Sequence, residues 1–130
     1  MPTIQYRTAD VDGFNVFYRE TGSPQSPKLL LFHGFPSASH MFRDLIPLLA
    51  DHFHLIAPDL PGFGQSAMPP RSKFQYTFEN LAHVMDRFTE VVGFDHFVMY
   101  VFDYGAPVGF RLATKHPDRI SGIISQNGNA

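Results

Sequence analysis

Phe97-Val98-Met99-Tyr100-Val101-Phe102-Asp103-Tyr104-Gly105 is the most strand-like run of this 130-residue chain, and it ends abruptly on an acid and a glycine. Aromatic and β-branched residues fill residues 97–102, as a buried strand asks, so Asp103 stands at the strand's carboxyl end. Downstream, Phe110, Leu112 and Ala113 fall at helical spacing, which predicts a helix over 104–115 that Pro117 terminates. Ile120 to Ile124 reads as one more strand. Upstream, Leu81, Val84, Met85, Phe88, Val91 and Val92 make one apolar stripe, with Thr77 or Asn80 as cap and Gly93 as stop, predicting a helix over 77–92.

The same alternation continues toward the N-terminus. His54 to Ala57 and Leu29 to Phe32 are short apolar runs of the kind buried on both faces of a sheet. Between them, Met41, Phe42, Leu45, Ile46, Leu48 and Leu49 predict a helix over 40–50, capped by Ser37 or Ser39, although Pro47 lies inside it. Two further runs, Thr3 to Arg7 and Phe14 to Arg19, flank a segment that ends Asp12-Gly13, an antiparallel hairpin signal. A hairpin followed by alternating strands and helices predicts an α/β architecture with a mostly parallel sheet and helices on both faces. In such sheets ligands bind beyond the carboxyl ends of the strands, which directs attention to residues 33–36, 59–66, 103–104 and 125–129. The expectation is that strands 29–32 and 97–102 lie side by side.

Composition narrows the function. A formal net charge of −2 leaves no basic stripe for a phosphate backbone, so nucleic acid is not an expected partner. The chain has no cysteine, which removes thiolate nucleophiles, disulfides and cysteine-type zinc sites. No apolar stretch approaches the ~20 residues of a membrane span, and the start has no signal-like pattern, so the expected location is cytoplasmic. Neither a cofactor nor a metal is called for.

Asp103 has two readings. It is either the N-cap of the following helix, or the projecting group of a nucleophile elbow, the sharp strand-to-helix turn that lifts one side chain off a sheet. His33-Gly34-Phe35-Pro36, after another buried strand, is by itself an ordinary Gly-Pro turn, but the Phe35 amide there can converge with the Tyr104 amide to form an oxyanion hole. Three other patterns carry less. Gly62-Phe63-Gly64-Gln65-Ser66-Ala67 fits a dinucleotide fingerprint, yet Met68-Pro69-Pro70 forbids the helix that must follow. Ser66 lacks the context of a nucleophilic serine and reads as a loop residue. Asp51, His52 and His54 straddle a helix end and a strand start and read as surface residues rather than metal ligands.

Together, His33-Gly34-Phe35-Pro36 and the aspartate turn at Asp103, with Gly105 behind it, resemble the epoxide hydrolase and haloalkane dehalogenase branch of the α/β-hydrolase family. The resemblance runs from the hairpin to Asn127. It implies an Asp103 nucleophile, oxyanion donors from Phe35 and Tyr104, and the N-terminal half of an α/β-hydrolase fold. Residues 1–130 would then be a single partial core domain, with the cap, the histidine base and its acid beyond residue 130 and the isolated chain inactive. It also implies a small hydrophobic substrate. Asp instead of Ser fits an alkyl electrophile, because a carboxylate leaves an ester that water can cleave where a serine would leave an ether. Dehalogenases of the branch hold halide with an indole beside the nucleophile and sometimes an Asn in the third position of His-Gly-x-Pro. Here those places hold Tyr104 and Phe35, so an epoxide is the expected electrophile and a haloalkane the alternative. Some dehalogenases carry the acid where this chain has Asn127. A reading from a different class is a non-catalytic half-domain that self-associates through an open edge at 120–124.

Overall fold

The computed structural model describes residues 3–128. Six strands form one sheet in the order β1-β2-β4-β3-β5-β6, with β1 Gln5–Val11, β2 Phe14–Thr21, β3 Lys28–Phe32, β4 His54–Pro58, β5 Phe97–Phe102 and β6 Ile120–Gln126. The hairpin β1–β2 is antiparallel and joins β4 antiparallel, whereas β3, β4, β5 and β6 run parallel. Asp12 and Gly13 form its two-residue turn with φ of 51° and 93°, the left-handed pair that matches the twist of a tight hairpin. β1 continues past the expected Arg7 to Val11, because Ala9 and Val11 turn inward while Thr8 and Asp10 face solvent, so the period of two persists to the turn.

The central strands separate two hydrophobic layers. Leu30 and Phe32 of β3, with Ile56, Met99 and Val101, face α2 (Phe78–Val92) and α3 (Gly105–Lys115), where Phe88, Val108 and Leu112 complete the layer. Leu29 and Leu31 face the other way, onto Phe42, Ile46, Leu55 and Ala57. Side chains of β3 thus alternate between two cores, which is why its sequence reads as unbroken apolar residues.

α2 matches its reading closely: Thr77 accepts the Asn80 amide at 3.1 Å, and Gly93 closes the helix with φ 78°. The expected helix over 40–50 does not form as one piece. A 3₁₀ turn, Ser39–Phe42, is followed by the short helix α1, Leu45–Leu49, with Arg43 and Asp44 between them. Pro47 has no amide hydrogen for a helical bond, and within α1 it falls in the first turn, where none is required. Neither Ser37 nor Ser39 caps the turn, whose N-cap is Ala38. β6 forms the second edge of the described sheet, and Ile123 and Ile124, on opposite faces, are about half exposed.

Candidate active site

Because β3, β4 and β5 are parallel, their carboxyl ends open on one side of the sheet. β3 and β5 are direct neighbours, with Phe32 opposite Val101, so the segments that follow them meet. The Phe35 N–H donates to Asp103 Oδ2 at 2.9 Å across 68 positions of sequence. Asp103 has φ 53°, a left-handed conformation that costs a non-glycine residue about 1–2 kcal/mol and that Asp tolerates better than most. The strained turn aims the carboxylate away from the strand. No side chain caps α3, whose N-cap residue is Tyr104, so the helix-cap reading of Asp103 is not the one adopted. The Tyr104 amide, next along the chain, donates to no acceptor among the described residues.

Two glycines make the approach possible. A Cβ on Gly34 would stand 2.3 Å from Asp103 Cβ and 2.9 Å from its Oδ2, and one on Gly105 would stand 2.7 Å from the Phe32 and His33 carbonyl oxygens. Either contact lies far inside van der Waals separation. Pro36 follows through a cis peptide, and the Ser37 N–H and hydroxyl return to the Gly34 carbonyl at 2.9 and 2.7 Å.

His33 is wholly buried and does not face the carboxylate. Its Nε2 accepts the Leu60 amide at 2.9 Å, which leaves Nδ1 to carry the proton and donate to the Gly34 carbonyl at 2.9 Å. The ring thereby ties the Phe35 loop to the loop after β4. Burial lowers its pKa, against smaller opposing effects of the Gly34 carbonyl and Asp59, so the neutral ring is favoured in the fold. An unfolded chain then binds the proton more readily. Stability is accordingly expected to decline as the pH falls below about 6.5, the ordinary histidine value, and to be retained above it. Urea midpoints of wild type and His33→Gln from pH 5 to 8 check this: the variant should be less stable throughout but should lack that part of the acid slope.

Asp59, hardly visible in the sequence, anchors the next loop. Its buried carboxylate accepts the Ser39 amide at 2.7 Å and the Gln65 amide at 2.9 Å, and its carbonyl accepts the Ser66 hydroxyl at 2.6 Å. Ser66 Oγ in turn accepts the Phe17 amide, so it is a buried structural serine within a loop. The signal available for Asp59 was an acid directly after a buried strand and before Pro61-Gly62. No helix follows Gly62 to Ala67, as Pro69 and Pro70 led one to expect. His52 is exposed, but His54 is buried and pairs with Glu20 at 2.6 Å, which corrects its reading as a surface residue. No cluster of metal-ligating side chains occurs among the described residues, nor any helix long and apolar enough to cross a membrane.

An open groove of about 1000 Å³ borders the elbow, sharing Phe35 and Tyr104 with it. Phe35 stacks obliquely on Tyr104 at 5.2 Å, and Phe78 meets Tyr104 edge-on at 5.1 Å. Met68, Pro69 and Tyr76 extend this apolar wall. A carboxylate with one oxygen held by a backbone amide, next in sequence to a residue that lines an apolar groove, is chemically able to attack an electrophilic carbon brought to it.

Comparison with known proteins bears on the family and the fold. A family model described as alpha/beta hydrolase fold matches residues 27–130. An uncharacterized hydrolase of Saccharomyces cerevisiae is 55% identical over 119 residues, covering 92% of this chain and 40% of that protein. A haloalkane dehalogenase of Bradyrhizobium diazoefficiens is 38% identical over 92% of this chain and 38% of its own length. Among solved structures, haloalkane dehalogenase DbeA of Bradyrhizobium elkani superposes with a TM-score of 0.91 at 32% identity, covering 97% of this chain and 42% of that one. The chain thus spans about 40% of the length of the relatives it matches. With the sheet order, the elbow and the matched family model in agreement, this chain belongs to the α/β-hydrolase family, and within the sequence of a longer relative it corresponds to the N-terminal part.

Proposed function

We propose that Asp103 is the nucleophile of a hydrolase that opens an alkyl electrophile, an epoxide in the first instance, through an ester on its own carboxylate. The observation that carries this reading is the 2.9 Å hydrogen bond from the Phe35 amide to Asp103 Oδ2. When Oδ1 attacks carbon, an epoxide C–O bond breaks, and the released alkoxide takes a proton from an acid outside residues 3–128. Oδ2 is then the ester carbonyl oxygen. Water, deprotonated by a base, next adds to Asp103 Cγ and puts the negative charge on Oδ2, where the Phe35 and Tyr104 amides stabilise it. Collapse of that intermediate breaks the acyl–oxygen bond, releases a diol and restores the carboxylate. No histidine among the described residues hydrogen-bonds Asp103, and this reading assigns the base to a histidine outside residues 3–128.

The groove supports an apolar substrate, and Tyr104 and Phe35 stand where an indole and an amide would hold a halide. A second reading, haloalkane dehalogenation, is favoured by relatives that carry that name at 30–38% identity. Acid-quenched intact mass of the full-length protein separates them. An epoxide adduct retains the whole substrate mass because ring opening expels nothing, whereas a haloalkane adduct lacks its halogen. An adduct and diol formation from the terminal epoxide of undecene, without release of halide from bromoundecane, is the expected result. Halide release alone would give the second reading precedence.

A further inference from the structure

We propose that Asn127-Gly128 is a self-modifying site, at which the asparagine amide is replaced by a carboxylate through a cyclic imide, adding a negative charge at the end of β6 beside the elbow. The site is independent of the reaction assigned to Asp103. Two separate demands of the fold put this pair here. Phe102 of β5 and Gln126 of β6 are register partners, so Asp103 and Asn127 are the first residues past neighbouring strand ends. Asn127 has φ 50°, a left-handed conformation that asparagine accepts more readily than most non-glycine residues. A Cβ on Gly128 would stand 2.6 Å from Ser125 Oγ and 2.7 Å from Ala106 Cβ, so glycine is what fits against the first turn of α3. Backbone shape calls for the asparagine and close packing calls for the glycine. Together they make the one Asn-Gly pair in the sequence.

The chemistry of that pair is intrinsic to it. The Gly128 nitrogen gives its proton to a base in solvent and bonds to Asn127 Cγ, while the Cγ–Nδ2 bond breaks and Nδ2 leaves as ammonia. Glycine has no Cβ to shield the attacking nitrogen or to restrict the rotation that brings it to Cγ. Water then opens the imide. Cleavage between Cγ and the Gly128 nitrogen gives aspartate, whereas cleavage at the backbone carbonyl of residue 127 gives isoaspartate, in which the main chain runs through Cβ. One water enters, one ammonia leaves, and nothing is oxidised or reduced.

The structure leaves these atoms free and holds those of comparable pairs. Asn127 and Gly128 are exposed and follow the end of β6 at Gln126. Neither the Asn127 side chain nor the Gly128 N–H has a hydrogen-bond partner among the described residues. At Asp12-Gly13, by contrast, the glycine N–H donates to Asp10 Oδ1 at 2.8 Å and the Asp12 carboxylate pairs with Arg87 at 3.1 Å. After Asn80, the Leu81 N–H donates to the Thr77 carbonyl at 2.9 Å, and Asn80 Nδ2 donates to the Gln75 carbonyl at 2.9 Å. Asn15 precedes the β-branched, buried Val16, which pairs with Ala9 in the hairpin. Of these sites, only Asn127 lies at the carboxyl end of a parallel strand, the side on which such sheets bind ligands.

The test incubates full-length protein from pH 7 to 9, folded and in urea, and reads the digest by mass spectrometry with fragmentation that separates Asn127 from Asn129. In the folded protein, residue 127 should gain the mass difference between amide and acid, partly as isoaspartate. Its conversion should quicken about tenfold per pH unit, because the attacking nitrogen must first lose its proton. Asn15 and Asn80 in the same digest should keep their amides. Asn127→Gln, whose cyclisation needs a larger ring, should keep its amide as well. Conversion at Asn127 in urea but not in the folded protein would overturn the proposal, as would conversion no faster than at Asn15 and Asn80. Aspartate without isoaspartate would overturn the imide route.

Discussion

Asp103→Asn in the full-length protein is expected to lower epoxide turnover by about 10⁴-fold or more while leaving the melting temperature nearly unchanged. Loss of an attacking group in covalent catalysis has effects of this order. The fold has little reason to object: Asn adopts the left-handed conformation that Asp103 holds at φ 53° as readily as Asp does. Its carbonyl oxygen still accepts the Phe35 amide that now bonds Oδ2. What the amide lacks is nucleophilic charge. Steady-state kinetics beside a thermal melt check this, and turnover within tenfold of wild type would remove Asp103 from the chemistry.

Gly34→Ala is expected to produce the second large effect, and through geometry alone. The added Cβ would stand 2.3 Å from Asp103 Cβ and 2.9 Å from the Phe102 carbonyl oxygen. Neither neighbour is the end of a flexible chain, so the loop carrying the Phe35 amide and the elbow must move apart. Overpacking of this kind costs about 1–3 kcal/mol, and a displacement near 1 Å between reacting groups costs about 10²-fold in rate. Urea denaturation and kcat/KM measure the two losses. A Gly13→Ala control meets no neighbouring atom but keeps the φ 93° penalty, so it should lose stability without the loss of rate.

Much of this was legible because local chemistry and global fold agree. Asp12-Gly13 specified the hairpin, Thr77 and Gly93 bounded α2, and unbroken apolar runs marked strands buried on both faces. Periodicity failed at residues 39–49, where apolar spacing continues although the backbone breaks at Arg43 and Asp44. Spacing reports which side chains are buried, not whether consecutive turns share one axis. At the site, the facing of Phe35 and Asp103 followed from the expected adjacency of β3 and β5. The supports were less visible, because His33, Asp59, Ser39 and Ser66 hydrogen-bond partners 20 or more positions away or within irregular loops. A sequence gives the residue types for such contacts but not the loop paths.

The central claim, an ester on Asp103 that water cleaves at the carboxyl carbon, is tested most directly by a single turnover of the full-length protein in heavy-oxygen water with protein in excess over epoxide. Attack at Cγ predicts that the heavy oxygen enters the Asp103 side chain, read by mass spectrometry of the peptide that contains it, and that the diol carries the oxygen formerly on the enzyme. Heavy oxygen in the diol, with none in Asp103, would mean that water attacks the substrate directly and would contradict the account.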